Sequence, residues 1–354
     1  MKGLCASVPL KIGKRKMRTF ISGRANLACT IFVPYDCDNN CPFCTSKAMY
    51  GELKDKFNLA EIIKKIELLN YNTNIQEYVL TGGEPLANLD MLKQIIGAMR
   101  KTVYINTTLP AYKHIDEAIE YINSEPKIGG INISRHLNYR FDGPTSTDDK
   151  LEKIKKNIRI NTILPTTLDY EKLMKFIERY SSPTRLINLR ADYRKIDTTT
   201  LKDRNEIVDF LADNFTYMGT RTCTVCNSEF FALPNGNQVC YHRGLQYSAY
   251  ELPSKTYVND VLITPDGKIF KDWDFSKEDE EFNEWIFKPS EYVMELSTEK
   301  GFLAYFKDFN VEGDIELTTK KEDAKRLYFD DVEPIYSILH EHLEINVRIT
   351  PILV

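Results

Sequence analysis

The 354-residue chain has no apolar run approaching the roughly 18–20 residues that cross a bilayer, so no membrane span is predicted. Its first residues also lack the apolar core of a secretory leader, because Lys11, Lys14, Arg15, Lys16 and Arg18 interrupt it. Excess charge of either sign is small: a net −4 gives no global field for nucleic acid. These absences make the reducing cytoplasm the expected setting. The eight cysteines are then read as metal ligands or free thiols rather than disulfides. With 42% apolar residues and this length, two or three domains with real cores are expected.

Six of the cysteines fall into two groups. The first is Cys37-Asp-Asn-Asn-Cys41-Pro-Phe-Cys44, a C-x3-C-x2-C loop directly after an apolar strand ending at Val33. A compact loop with that spacing can turn three thiolates toward one centre and hold a [4Fe–4S] cluster, leaving one iron without a protein ligand. Zinc would need a fourth ligand nearby, and neither His nor Cys follows Cys44 until His114. A second segment of matching character, Thr81-Gly82-Gly83-Glu84-Pro85, follows the apolar strand Tyr78-Val79-Leu80.

The two motifs, in this order on successive strand ends, resemble the radical S-adenosylmethionine (SAM) superfamily, which carries an aromatic before the last cysteine, here Phe43. The resemblance implies that SAM chelates the open iron and is cleaved by one electron from a reductant such as flavodoxin or ferredoxin. The resulting 5′-deoxyadenosyl radical would abstract hydrogen from a substrate, in an oxygen-sensitive enzyme. Gly82 and Gly83 would let the backbone approach the methionine portion. Glu84 would accept the SAM ammonium, and Pro85 would stiffen the turn. Asn106, Thr108, Ser134 and Asn161, at strand ends, would reach ribose or carboxylate. Polar residues at such places are otherwise turn-formers or caps. Arg135, His136 and Arg190 are candidate substrate contacts on the same face.

Along the chain, a basic lead-in to about residue 26 precedes a repeating pattern of strands and helices. Leu59, Ile62, Ile63, Ile66 and Leu69 recur at helical intervals. Strands at 78–81, 102–107, 130–134, 158–164 and 185–190 alternate with helices near 89–100, 113–123, 147–157, 169–181 and 203–214. That alternation predicts a parallel α/β sheet but does not separate an open sheet from a barrel. The resemblance implies a partial (β/α)6 TIM-like barrel with reactive loops at the strand C-terminal ends.

The second group, Cys223-Thr-Val-Cys226 and Cys240, has C-x2-C-x13-C spacing, and Pro234-Asn235-Gly236-Asn237 reads as a hairpin turn that returns Cys240 toward the pair. The spacing resembles the auxiliary-cluster domain of the molybdenum-cofactor GTP cyclase and the short "twitch" domain of SPASM-type peptide-modifying enzymes, implying a second [4Fe–4S] cluster. His242, two residues on, makes a zinc site the alternative. A further hairpin turns at Pro265-Asp266-Gly267. An acidic linker or solvated helix follows at 274–284. The tail then reads as a small α+β unit with a helix at 320–326, a helix at 331–342 and a strand at 344–349.

The expected domains are a barrel at 1–215, an auxiliary-cluster domain at 216–285 and an accessory domain at 286–354. The expected function is radical SAM modification of a substrate near the second cluster, with a small molecule or nucleotide preferred. A peptide-modifying maturase is the rival, and a non-catalytic iron–sulfur or zinc protein the reading of a different class.

Overall fold

Six consecutive strands, each followed by a helical segment, order the chain in the computed structural model, which describes residues 19–22, 27–34, 37, 39, 41, 43–44, 56–137, 144–165, 167–191, 205–222, 227–242, 249–252, 255–258, 260–273, 275, 278–287, 291–310, 313–327, 329–343 and 347–353. After β1 (Thr19–Ser22), the units are β2 (Leu27–Val33) with α1 (Leu59–Asn70), β3 (Ile75–Gly82) with α2 (Leu89–Ala98), and β4 (Thr102–Thr107) with α3 (Ile115–Ser124). They continue with β5 (Ile128–Ser134) and a 3-10 segment (Pro144–Lys153), β6 (Asn157–Leu164) with α4 (Tyr170–Ser181), and β7 (Leu186–Ala191) with α5 (Asn205–Asn214). Consecutive strands from β2 to β7 pair in parallel, each of the first five with the next. Right-handed crossovers between neighbours in sequence order place the helices on one face of the sheet.

Alternation along the strands decides what each face carries. Val103, Ile105, Ile131, Ile133, Ile158, Ile160, Ile187 and Leu189 are buried in one apolar cluster with helix residues such as Leu92, Ile119 and Ile177. The residues between them, among them Tyr104, Asn106, Asn132, Arg159 and Asn161, are half-buried on the helix-free face. Asparagine or aspartate side chains cap three of the helices: Asn58, Asn88 and Asp169 accept from backbone N–H groups of α1, α2 and α4.

The segment expected to form a separate cluster domain extends this sheet at both edges. Strands β8 (Thr216–Thr222), β9 (Asn227–Ala232) and β10 (Gln238–His242) form an antiparallel meander. Strand β10 pairs in parallel with β7. After β11 (Ala249–Leu252) and β12 (Lys255–Val258), strand β13 (Asp260–Ile263) pairs in parallel with β2 and antiparallel with β14 (Ile269–Phe270). The result is one sheet of eleven strands. The two hairpin turns stand where the sequence placed them, with Gly236 and Gly267 at positive φ.

Several local expectations change. The stretch near 147–157 is a 3-10 segment starting at Pro144, and 320–326 contracts to a 3-10 turn at Lys321–Asp323. The basic lead-in contributes β1, paired with β12. The acidic run ends in α6 (Glu280–Phe287), which buries Phe282 and Ile286. Its Ile286 carbonyl accepts from Asn72 Nδ2 at 2.6 Å, so this helix is docked rather than solvated. The tail folds as β15 (Tyr292–Thr298), β16 (Gly301–Phe309), β17 (Ile315–Thr318), α7 (Phe329–His342) and β18 (Arg348–Leu353). The last strand lies four residues later than expected, because it pairs with β15 from Arg348 onward. Leu339 of α7 packs with Met294, Leu296 and Phe306 in a second apolar cluster. Among the described residues no helix is long and apolar enough to cross a membrane.

Candidate SAM and metal site

Glu84 lies at the centre of the strand-end network. It is buried and caps the 3-10 turn Pro85–Ala87. Oε1 accepts from Leu86 N at 3.1 Å and Thr107 Oγ1 at 2.5 Å, and Oε2 accepts from Thr108 N and Thr108 Oγ1, both at 2.8 Å. Those four bonds fill a carboxylate's ordinary acceptor capacity. A direct bond from a SAM ammonium would require one of them to be given up. Burial pushes the Glu84 carboxyl above its usual range, opposed by the donors from Thr107, Thr108 and Leu86. Leu109, buried directly after the two threonines at a positive φ of 49°, accepts the strain of the turn that aims them at Glu84.

Gly82 is required for a different close approach from the one the sequence indicated. Its φ is +116°, and a Cβ there would lie 2.5 Å from Val33 O and 2.7 Å from Val33 N. The strand-end glycine thus lets β3 pass against the backbone of β2, immediately before the cysteine loop.

That loop is tied to the same network. Asn39 Nδ2 donates to Thr108 Oγ1 at 3.0 Å and contacts Cys37 Sγ at 3.6 Å. Cys44 N donates to Cys41 O at 3.1 Å. Cys37, Cys41 and Cys44 are half-buried, and none is in a disulfide among the described residues. Burial raises the Cys37 thiol, and Glu84 and Cys44 add to that, while Asn39 opposes it. Three thiols on one short loop, with an amide donor at one sulfur, are a donor set that fits an iron–sulfur cluster. A cationic metal centre would supply the positive charge these thiolates lack. Among the described residues no three His, Cys, Asp or Glu side chains converge as a single-ion site.

Phe43 packs edge-on against His136, with ring centroids 4.4 Å apart. His136 Nδ1 accepts from Ile163 N at 3.1 Å, so the neutral ring carries its proton on Nε2. Burial, then the charge of Arg135, holds its pKa down to about 3. Arg135 is a buried strut. Its Nε pairs with Asp148 Oδ1 at 2.9 Å, and its Nη1 donates to Thr108 O at 2.7 Å and Ser134 O at 3.0 Å. Both residues expected to touch substrate are thus engaged in holding the strand ends.

The predicted asparagines are paired. Asn132 Nδ2 donates to Asn106 Oδ1 at 2.7 Å, and Asn188 Nδ2 to Asn161 Oδ1 at 2.8 Å. Ser134, Asn161, Asn188 and Cys240 stand in register across β5, β6, β7 and β10. Asn39, Asn132 and Asn188 are site-region residues that sequence reasoning did not single out; for the two strand asparagines the signal was polarity at alternate positions.

Of the second group, Cys223 and Cys226 lie outside the described residues. Cys240 is buried, with its Sγ 3.6 Å from His242 Nε2. His242 Nδ1 meets Ser228 Oγ at 2.8 Å. Arg190 stands beside His242 in the β7–β10 register, and burial, then this arginine's charge, lowers the His242 pKa to about 3. The leftover Cys29 is a buried thiol inside β2, its pKa raised by burial.

Residues 31–201 match the family model of the Radical SAM superfamily. Among solved structures, the chain is similar to SuiB of Streptococcus suis, with TM-score 0.51 and 14% identity over 74% of this chain and 64% of that one. The same protein bound to its precursor peptide SuiA gives TM-score 0.50 and 14% identity, over 72% and 62%. At this identity the likeness is one of fold, and the chain spans less than two thirds of the SuiB length. No curated protein sequence matches the chain.

Proposed function

With residues 31–201 belonging to the radical SAM superfamily, we propose that the chain is an enzyme holding a [4Fe–4S] cluster on Cys37, Cys41 and Cys44 and binding SAM beside it. Cluster and SAM together supply a one-electron cleavage that yields a hydrogen-abstracting 5′-deoxyadenosyl radical, given a reductant such as flavodoxin or ferredoxin. The observation that carries this reading is the continuous link from the cysteine loop through Asn39 and Thr108 to Glu84. It makes the loop and the Gly-Gly-Glu-Pro turn one unit.

In this reading the six β/α units act as a partial barrel. Glu84 and Arg135 are positioning residues that fix the turn after β3 and the ends of β4 and β5. Phe43 and His136 hold the cysteine loop against β6. Asn106, Thr108, Ser134 and Asn161 present polar groups to SAM from the strand ends, and Arg190 faces the substrate. Cys240, with Cys223 and Cys226, holds a second metal, as a [4Fe–4S] cluster or as zinc with His242. The expected domains, a barrel to residue 215, a cluster segment to 285 and an accessory unit to 354, follow this division of labour.

The test is iron, sulfide and zinc per chain after anaerobic reconstitution, with 5′-deoxyadenosine formation from SAM and a low-potential reductant. About eight irons, or about four irons with one zinc, together with 5′-deoxyadenosine, is the expected result. No iron bound, or no cleavage from an iron-loaded chain, would sink it.

A further inference from the structure

The helix-free face of the sheet carries an asparagine and an arginine that the cysteine motifs do not use. Asn132 on β5 and Arg159 on β6 are register partners. Asn132 Oδ1 is buried and has no hydrogen-bond partner among the described residues. A buried acceptor left open in this way is normally completed by water or a ligand. The Arg159 guanidinium lies over the Tyr104 ring, 5.1 Å from its centroid. Among the described residues it makes no ion pair. A guanidinium held over an aromatic ring and in no ion pair keeps N–H donors for a bidentate partner such as a carboxylate. Arg159 sits two residues before Asn161 along β6, about 7 Å further from the C-terminal end of the strand than that residue.

We propose that this part of the helix-free face binds the substrate, with Arg159 pairing a substrate carboxylate and Asn132 Oδ1 accepting an amide N–H beside it. The substrate class is therefore a peptide segment carrying an acidic group. The inference rests on the radical SAM reading for the position of SAM above this face. Charge favours this class over the nucleotide alternative. Arg159 and Arg190 are the two cations in the strand sequences of β4 to β7. They match one or two carboxylates, whereas a triphosphate would bring about four negative charges, more than these two compensate.

The experiment is calorimetric titration of the anaerobically reconstituted chain, in the presence of SAM, with Ac-Ala-Glu-Ala-NH2, Ac-Ala-Gln-Ala-NH2 and GTP. The glutamate peptide is expected to bind at least about tenfold more tightly than its glutamine twin. Arg159→Gln should reduce that preference to under about threefold, and Arg159→Lys should keep part of it, with SAM affinity unchanged in both. Absent binding of both peptides, equal affinity for them, a preference that survives Arg159→Gln, or tighter binding of GTP overturns the inference. SAM binding is measured in the same samples. Its absence from the native chain sinks the radical SAM reading, whereas normal SAM binding without a glutamate preference sinks this inference alone.

Discussion

The two cysteine regions are held by different physical means. The first lies on a loop, and its position depends on side chains: Asn39 reaches Thr108, and Thr108 with Thr107 grips Glu84. Phe43 leans on His136, whose ring is fixed by a backbone N–H of β6. The second region contributes Cys240 from inside a strand, where main-chain pairing with β7 and β9 sets the backbone and the sulfur lies against His242 of the same strand. A loop braced by side chains can adapt around a bound cofactor, and single substitutions can loosen it. A sulfur on a paired strand is rigid, and displacing it requires disturbing the sheet. The proposed division follows: an adaptable reactive site beside a fixed anchor.

The sharpest way to break this comparison is Cys41→Ala. If the two regions are independent, the variant abolishes 5′-deoxyadenosine formation and loses about four irons, while the second site keeps its metal. Metal analysis by mass spectrometry checks it. Cleavage that survives removes Cys41 from the reactive site, and joint loss of both metals shows that the two regions are coupled.

A smaller effect is expected at Glu84. In Glu84→Gln one of the two oxygens becomes an amide donor facing donors, either Thr108 N–H and hydroxyl or Leu86 N–H and Thr107 hydroxyl. A buried donor left unpaired costs about 1–3 kcal/mol. SAM affinity should fall by about tenfold or more as the turn loosens, with a lower melting temperature and unchanged metal at the second site. Unaltered SAM affinity would show that the turn does not depend on this carboxylate.

Much of the fold could be read from the sequence, because it rests on local periodicity. Leu59, Ile62, Ile66 and Leu69 gave a helix, and Ile158, Ile160 and Leu164 alternated along a strand. What was not legible depends on partners distant in the chain. Nothing near Cys240 says that its hairpin joins β7 in parallel, since register between β10 and β7 is fixed by packing across some fifty residues. Arg135 looked like a substrate contact because its place on the active face was readable, while its partner Asp148 and the carbonyl of Thr108 were not. The acidic run before α6 hid the two apolar positions, Phe282 and Ile286, that dock it. In the site, the motif residues were visible as a pattern, but that Asn39, a spacer residue of the cysteine motif, reaches across to Thr108 was not.

The smallest effect concerns the brace on the first loop. His136 is held neutral down to about pH 3 in the folded chain, while an unfolded histidine takes up its proton near its ordinary 6.5. Between those values the unfolded state binds more protons, so stability from this group is present above pH 6.5 and is lost as the pH falls through that window. Its contribution to the slope is at most about 1.4 kcal/mol per pH unit. Protonation would also remove the Nδ1 acceptor from Ile163 N–H and release the ring that supports Phe43. His136→Gln should therefore flatten the dependence of melting temperature on pH between about 6.5 and 5. Scanning calorimetry of both proteins across that range decides it: equal slopes would remove His136 as the acid-sensitive element, and the loop would then be held chiefly by Asn39.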